Sequence, residues 1–325
     1  MGPAGFYTQI WEISIVLMKR LRITEHIEYL RPENEIGRFL CSGMIVRGSG
    51  KVFFDTNFGE AKTKELLLSE KPDFALLSHY HLDHALWGGF VRSASDAELF
   101  LPFGEEDYVA KPDFFLERTS GQMPSAELWK QFVLEHLKFK GFREFRTYDG
   151  SFSLDLKKTK MVFIPAPGHS PGHMTAYFPE ENILFTSDLG FGPLGPWYGF
   201  RDGDICHYVE SLLNLKAMKP KLLLTGHDGV FCKDIEGIFD RCIEAFFLRE
   251  DMIREGLEKG RSRDSIVGDG IYFKNKEKAK GLLKGFLVDW DTVMFDLHIG
   301  VLNEGGLDFF FPGTGRKSQF RPIKS

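Results

Sequence analysis

The stretch Ala75-Leu76-Leu77-Ser78-His79-Tyr80-His81-Leu82-Asp83-His84 decides how this chain folds and where its chemistry sits. An apolar run suited to a buried strand passes straight into three histidines and an aspartate within six positions. Ala85-Leu86-Trp87-Gly88-Gly89 follows at once and suits a helix start. Imidazoles and a carboxylate therefore sit at a strand's carboxyl end, where open α/β sheets hold their ligands. Such groups, crowded together, repel or stay unsatisfied without a cation, and this donor set suits zinc, iron or manganese. A lone histidine is more often a hydrogen-bonded core or surface residue, but core histidines do not cluster like this.

Outward from that stretch, three more apolar runs end on a donor. Ile164-Pro165-Ala166-Pro167-Gly168-His169-Ser170-Pro171-Gly172-His173 follows one, Ile183-Leu184-Phe185-Thr186-Ser187-Asp188 ends another, and Leu222-Leu223-Leu224-Thr225-Gly226-His227-Asp228-Gly229 ends a third. Glycine stands near each donor, where the backbone must approach closely. The other β-rich runs are Phe39–Val46, Lys51–Asp55, Phe74–Leu77, Leu99–Leu101 and Met161–Ile164, and the first two are joined by Arg47-Gly48-Ser49-Gly50, a hairpin-type link. Alternation of such runs with amphipathic segments, among them a surface helix over 57–68, argues for a layered α/β domain. The charged region Glu105–Arg146 reads as a helical excursion from the sheet. From Lys233 the apolar residues Ile235, Ile238, Phe239, Cys242, Ile243 and Phe246 recur at helical spacing, and a second helical stretch spans 275–302. The chain thus divides into an N-terminal extension (1–21), a catalytic domain (22–232) and a helical appendage with an irregular tail (233–325). Met18, followed by Lys19 and Arg20, is an alternative initiator.

The order His79-x-His81-x-Asp83-His84, then His169, Asp188 and His227, resembles the complete dinuclear motif of the metallo-β-lactamase superfamily. The resemblance spans roughly Arg22 to Val230. It implies a four-layer αββα sandwich with two mixed sheets face to face and the metals at one sheet edge. It also implies that His79, His81 and His169 hold a first metal, Asp83, His84 and His227 a second, and that Asp188 bridges them. Aspartate plus histidine at the second site is most similar to glyoxalase II-like hydrolases. The flavodiiron branch carries glutamate where this chain has His81, and the motifs of the nucleic-acid-cutting branch are missing. No match to the glutathione-binding residues of glyoxalase II stands in the helical tail, so that substrate is not implied.

Two divalent ions, zinc by preference and iron or manganese as alternatives, can share a water and lower its pKa towards ~7. The expected reaction is hydrolysis of a thioester, ester or lactone by that hydroxide, with thioester cleavage first by analogy alone. Asp83 is the candidate catalytic base. Two alternatives remain: an iron persulfide-dioxygenase-like oxidoreductase that leaves His227 idle, and a metal-containing ligand-binding or regulatory protein with little turnover.

Around the ligands, His173 and Ser78 are candidates for supporting them by hydrogen bonding; Ser78 has no nucleophile elbow. The glycine- and proline-rich stretch Phe191–Phe200 follows Asp188, and Trp197, Tyr198 and Trp87 are candidates for an apolar substrate wall. Arg201 is a weaker candidate for meeting an anion. His26, His136, His207 and His298 lack metal-like company, and Cys206 and Cys232 receive no role.

Composition bounds the rest. The 325 residues (37.2 kDa) are 43% hydrophobic and 27% charged, a globular balance. A net charge of -5, from 41 basic and 46 acidic residues, disfavours a nucleic-acid binder. The four cysteines form no CxxC pair, and no apolar run approaches the ~20 residues of a membrane span. The expectations are a cytoplasmic location, a small acyl-containing substrate, no membrane or nucleic-acid partner, and a homodimer as a reasonable state.

Overall fold

The computed structural model describes residues 18–33, 39–279 and 282–311; the tail beyond 311 and the first seventeen residues, with the question of an alternative start, lie outside them. Seven strands form one sheet in sequential order: β1 (Met18–Arg22), β2 (Ile27–Pro32), β3 (Gly43–Arg47), β4 (Lys51–Phe54), β5 (Phe74–Leu76), β6 (Glu98–Pro102) and β7 (Arg146–Tyr148). The first four run antiparallel, and β4 to β7 are mutually parallel. A second sheet holds β8 (Ser153–Asp155), β9 (Lys160–Pro165), β10 (Met174–Phe178), β11 (Ile183–Phe185), β12 (Leu222–Leu224) and β13 (Val230–Phe231), in the spatial order β13-β12-β11-β10-β9-β8. Its one parallel pair, β11 with β12, is bridged by the helix α1 (Ile205–Ala217), as a parallel crossover requires.

Strand alternation explains the layering. In β4, Val52 and Phe54 point into the space between the sheets while Phe53 points to the outer helices; in β11, Ile183 and Phe185 point inward and Leu184 outward. A strand covered on both faces must be apolar throughout, which is why these runs read as unbroken apolar stretches. Three apolar cores result, one between the sheets and one beneath each helical layer. This is the expected αββα sandwich. Burying one phenylalanine side chain contributes about 1.5–3 kcal/mol, and Phe53, Phe54, Phe163, Phe178 and Phe185 are all essentially inaccessible.

The C-terminal helices α2 (Ile235–Glu258) and α3 (Leu282–Asn303) lie against α1 on the outside of the second sheet and supply Phe239, Phe246 and Met294 to its core. The sheet begins earlier than the sequence suggests, because β1 falls within the stretch read as an N-terminal extension. Its exposed sequence Met-Lys-Arg-Leu-Arg carries no alternation signal and is typical of a protected edge. The expected helix over 57–68 forms as Glu60–Glu70. No helix among the described residues is long and apolar enough to cross a membrane.

The fold places β5, β9, β11 and β12 so that His79, His169, Asp188 and His227 leave their carboxyl ends along one edge. Backbone bonds lock the two sheets there: Ser42 N donates to Gly226 O at 2.6 Å and Met174 N to Ser78 O at 2.9 Å, while Tyr29 Oη donates to Thr225 O at 2.8 Å.

Candidate metal centre

Seven side chains converge at that edge as two clusters, His79–His81–His169 and Asp83–His84–Asp188–His227, with donor atoms within 4.8 Å of one another inside each. In the first, His169 Nε2 stands 3.3 Å from His79 Nε2 and 3.0 Å from His81 Nδ1. In the second, His227 Nε2 lies 3.1 Å from both Asp83 Oδ2 and Asp188 Oδ2, and His84 Nε2 lies 3.0 Å from Asp188 Oδ1. Asp188 Oδ2 also reaches to 3.8 Å of His169 Nε2, so this one carboxylate touches both clusters.

These residues fit divalent metal. A tetrahedral ion with ligands at 2.0–2.1 Å holds them about 3.3–3.4 Å apart, close to the spacings here. His79 Nδ1 meets Ser78 Oγ at 2.9 Å, His84 Nδ1 meets Asp55 Oδ2 at 2.9 Å and His169 Nδ1 meets the Trp197 carbonyl at 2.8 Å. In each ring, Nδ1 is thus engaged from behind and Nε2 is left facing its cluster, which is the arrangement a metal-binding imidazole needs.

Charge follows the same division. Burial, reinforced by neighbouring imidazoles, holds His79 and His81 well below the usual histidine pKa, and burial also lowers His169. Burial works the same way on His227, but Asp188 and Asp83 outweigh it and raise that ring to about 10. Against the same burial cost, Asp188, Cys41 and Asp55 push His84 well above its ordinary value. Asp188, although buried, is held far below the carboxylate range by His227 and His84. In the absence of a cation the acidic cluster keeps protons on its imidazoles, and a divalent ion would displace them.

Asp55 escaped the sequence reading. Its carboxylate accepts from Ser78 N (2.7 Å), Ser78 Oγ (3.0 Å) and Ser187 Oγ (3.2 Å), as well as meeting His84. Both Asp55 (φ 59°) and Ser187 (φ 49°) adopt the left-handed backbone, rare outside glycine, and this hydrogen-bond cage holds them there. The available signal was that the run Lys51–Asp55 ends on a carboxylate, as Ile183–Asp188 does. Ser78 is a hydrogen-bond hub rather than a nucleophile, joining Asp55, His79 and Ser187. His173 stands outside both clusters and its Nε2 accepts from Asp188 N at 3.4 Å, which steadies the backbone of that carboxylate.

The clusters open into a cavity of about 410 Å³ lined by His81, Asp83, His169, Ser187, Asp188, His227 and Asp228 on one side and by apolar, mostly aromatic side chains elsewhere. Trp197 is on this wall, its ring 5.7 Å from that of His81. Tyr198 is not: it is fully buried, stacked on Phe246, with its hydroxyl 3.0 Å from His298 Nε2. These adjacent rings thus pack into different surroundings, and only Trp197 faces the cavity. Trp87 contacts Phe90 and is not among the lining residues, and neither is Arg201, which is exposed. His26, His136, His207 and His298 lie outside both clusters, and all four cysteines are free.

Comparison with known proteins agrees with this geometry. The family model of the metallo-beta-lactamase superfamily matches residues 37–227. A lactamase-like protein nscB from Trichophyton verrucosum is 27% identical over 199 residues, 61% of this chain and 54% of that protein. An atrochrysone carboxyl ACP thioesterase from Aspergillus fumigatus is 25% identical over 236 residues, 68% of this chain and 61% of that one. The chain spans little more than half the length of such curated relatives. Among solved structures, a beta-lactamase domain protein from Burkholderia ambifaria superposes with a TM-score of 0.66 at 17% identity, covering 88% of this chain and 90% of its own. A metallo-beta-lactamase family protein from Thermus thermophilus gives 0.60 at 19% identity, covering 80% and 89%. With the family model matching more than half of the sequence, the fold shared over most of the chain and the His/Asp clusters seated at the sheet edge, the chain belongs to the metallo-β-lactamase superfamily.

Proposed function

We propose that the protein is a dinuclear metal-dependent hydrolase acting on a thioester with an apolar acyl group. The observation that carries this reading is the joining of both donor clusters to one apolar cavity, since only a group held in that cavity would reach the centre. The thioesterase named among the relatives supports the choice of thioester over lactone or ester. Involvement of His227 with Asp83, His84 and Asp188 supports two metals over the single iron of a dioxygenase-like site.

Bound divalent ions would supply Lewis acidity, readying a water and neutralising charge on the acyl oxygen. The chain's own residues do the rest. Asp83 is the ligand carboxylate with the most exposed side chain, 22% against 10% for Asp188, and it lines the cavity. In this reading Asp83 takes the proton released by the attacking water and returns it to the departing sulfur as the C–S bond breaks. Trp197 and Phe200 stand edge-on to the His81 ring and exclude bulk water from that side of the cavity. The products are a carboxylic acid and a free thiol.

The test is thiol release from a panel of acyl thioesters by protein loaded with zinc, iron or manganese, with oxygen uptake followed in parallel. Thiol release without oxygen consumption supports the reading. Oxygen-dependent turnover by protein holding one iron would replace it with the dioxygenase reading, and tight binding without turnover would replace it with the regulatory one.

A further inference from the structure

The family match ends at residue 227, yet the cavity wall does not. Tyr272, Phe273, Leu283, Phe286, Leu287 and Trp290, all beyond it, form one side of the cavity. This side is anchored firmly. Asp291 on α3 accepts the backbone N–H groups of Ile271 (3.1 Å), Tyr272 (2.9 Å) and Phe273 (3.3 Å) and forms a buried ion pair with Lys276. Asp289, on the same helix, accepts Ser125 N at 2.9 Å and the Ser125 hydroxyl, tying α3 to the segment that leads into Trp129.

The rings on the two sides are set nearly perpendicular to one another. Trp290 meets Trp197 at 5.7 Å and 86° and Trp129 at 6.0 Å and 86°, and Phe286 meets Trp129 at 5.3 Å and 83°. A flat ring entering such an array would meet ring faces on some sides and ring edges on others, the two contacts aromatic pairs favour. A flexible aliphatic chain gains only burial from the same walls and loses rotamer freedom. Among the described residues no lysine or arginine lines the cavity, so a carboxylate or phosphate would have no counter-ion except the metals. Biological thiol carriers are polar, so the cavity suits the acyl portion of the substrate. Its volume of about 410 Å³ lies in the ~300–1,000 Å³ range of small-molecule sites.

We infer that the cavity selects a planar aromatic acyl group, and that Trp290 and Phe286 are the residues that determine this selectivity. The inference rests on the thioesterase reading for its substrate, but not for its binding site. Two readouts keep them apart. The first compares kcat/KM for the 2-naphthoyl and octanoyl thioesters of N-acetylcysteamine. The second measures binding of neutral, non-hydrolysable 2-naphthamide and octanamide to metal-free protein by tryptophan fluorescence.

Wild type should prefer the naphthoyl thioester and bind the naphthamide more tightly. Trp290→Leu, which keeps some apolar bulk but removes the ring, should lower naphthoyl kcat/KM about three- to tenfold through KM, as expected for one lost aromatic pair, and lower octanoyl kcat/KM by a clearly smaller factor. Phe286→Leu should act in the same direction, and it keeps the test available if Trp290→Leu folds poorly. Equal losses for both acyl groups, or an octanoyl preference in wild type, would overturn the inference while leaving the thioesterase reading intact. Ring-selective naphthamide binding without cleavage of any thioester would sustain the inference and overturn that reading.

Discussion

Gly226 offers a clean way to disturb the centre from behind. It follows β12 immediately before His227, and a Cβ built on it would stand 2.2 Å from Asp188 Oδ1 and 3.0 Å from His84 Cε1. Ordinary contact begins near 3.4 Å, so in Gly226→Ala the Asp188 carboxylate must retreat by about 1 Å. The backbone itself objects little, because Gly226 is not among the positive-φ glycines. Ligand positions in a metal site are held to within ~0.2 Å, so a displacement of this size removes Asp188 from at least one ion. The expected loss in zinc affinity is at least the ~10–100-fold that follows loss of a supporting residue. At a zinc concentration of 100 times the wild-type Kd, a 100-fold loss removes most of the ~2.7 kcal/mol that binding adds to stability. The assay is thermal unfolding of Gly226→Ala and wild type, each with chelator and with a zinc series, alongside dialysis against zinc. The metal-free variant should melt within a few degrees of wild type while its zinc-dependent shift largely disappears. Two zinc ions bound at wild-type affinity would refute the steric argument and with it the placement of Asp188.

Other perturbations test separate parts of the structure. Asp55→Asn keeps a residue tolerant of φ 59° but weakens the hold on His84 and Ser78, so zinc affinity should fall about 10–100-fold in equilibrium dialysis with little loss of fold. His298, lowered to about 3 by burial, is held neutral in the fold, so its contribution is complete above the unfolded value of 6.5 and fades as pH falls towards 3. Denaturation of metal-free protein should show wild type losing about 2 kcal/mol more than His298→Asn between pH 7 and pH 5; parallel loss would remove His298 from the account of acid lability. A Cβ at Gly199 would stand 2.8 Å from Trp197 Cζ2 and 2.9 Å from Trp290 Cβ, so Gly199→Ala should part the two aromatic walls and raise KM severalfold without changing metal content.

The centre was legible because each donor follows a buried apolar run within a few residues, so local sequence alone fixes that it leaves a strand end. The layers were legible in part for the same reason, although two interior strands with mostly buried residues, β2 and β10, were not among the runs read; Glu28 and Arg31 interrupt the apolar run of β2. The edges could not be seen: β1 and β8 are exposed, polar and short, and nothing in Met18–Arg22 or Ser153–Asp155 distinguishes a strand from a loop. Choosing between Trp197 and Tyr198 needed the tertiary fold, because in an irregular segment no periodicity tells which of two neighbouring rings turns inward. Trp129, Phe286 and Trp290 read only as apolar positions of helices, and their meeting across the cavity depends on contacts between residues more than 150 apart in the chain.

The most direct measurement is a crystal structure of zinc-loaded protein with anomalous data collected at the zinc edge. Two peaks should appear, one among His79, His81 and His169 and one among Asp83, His84 and His227, with Asp188 between them. A single peak, or zinc bound away from this sheet edge, would contradict the account.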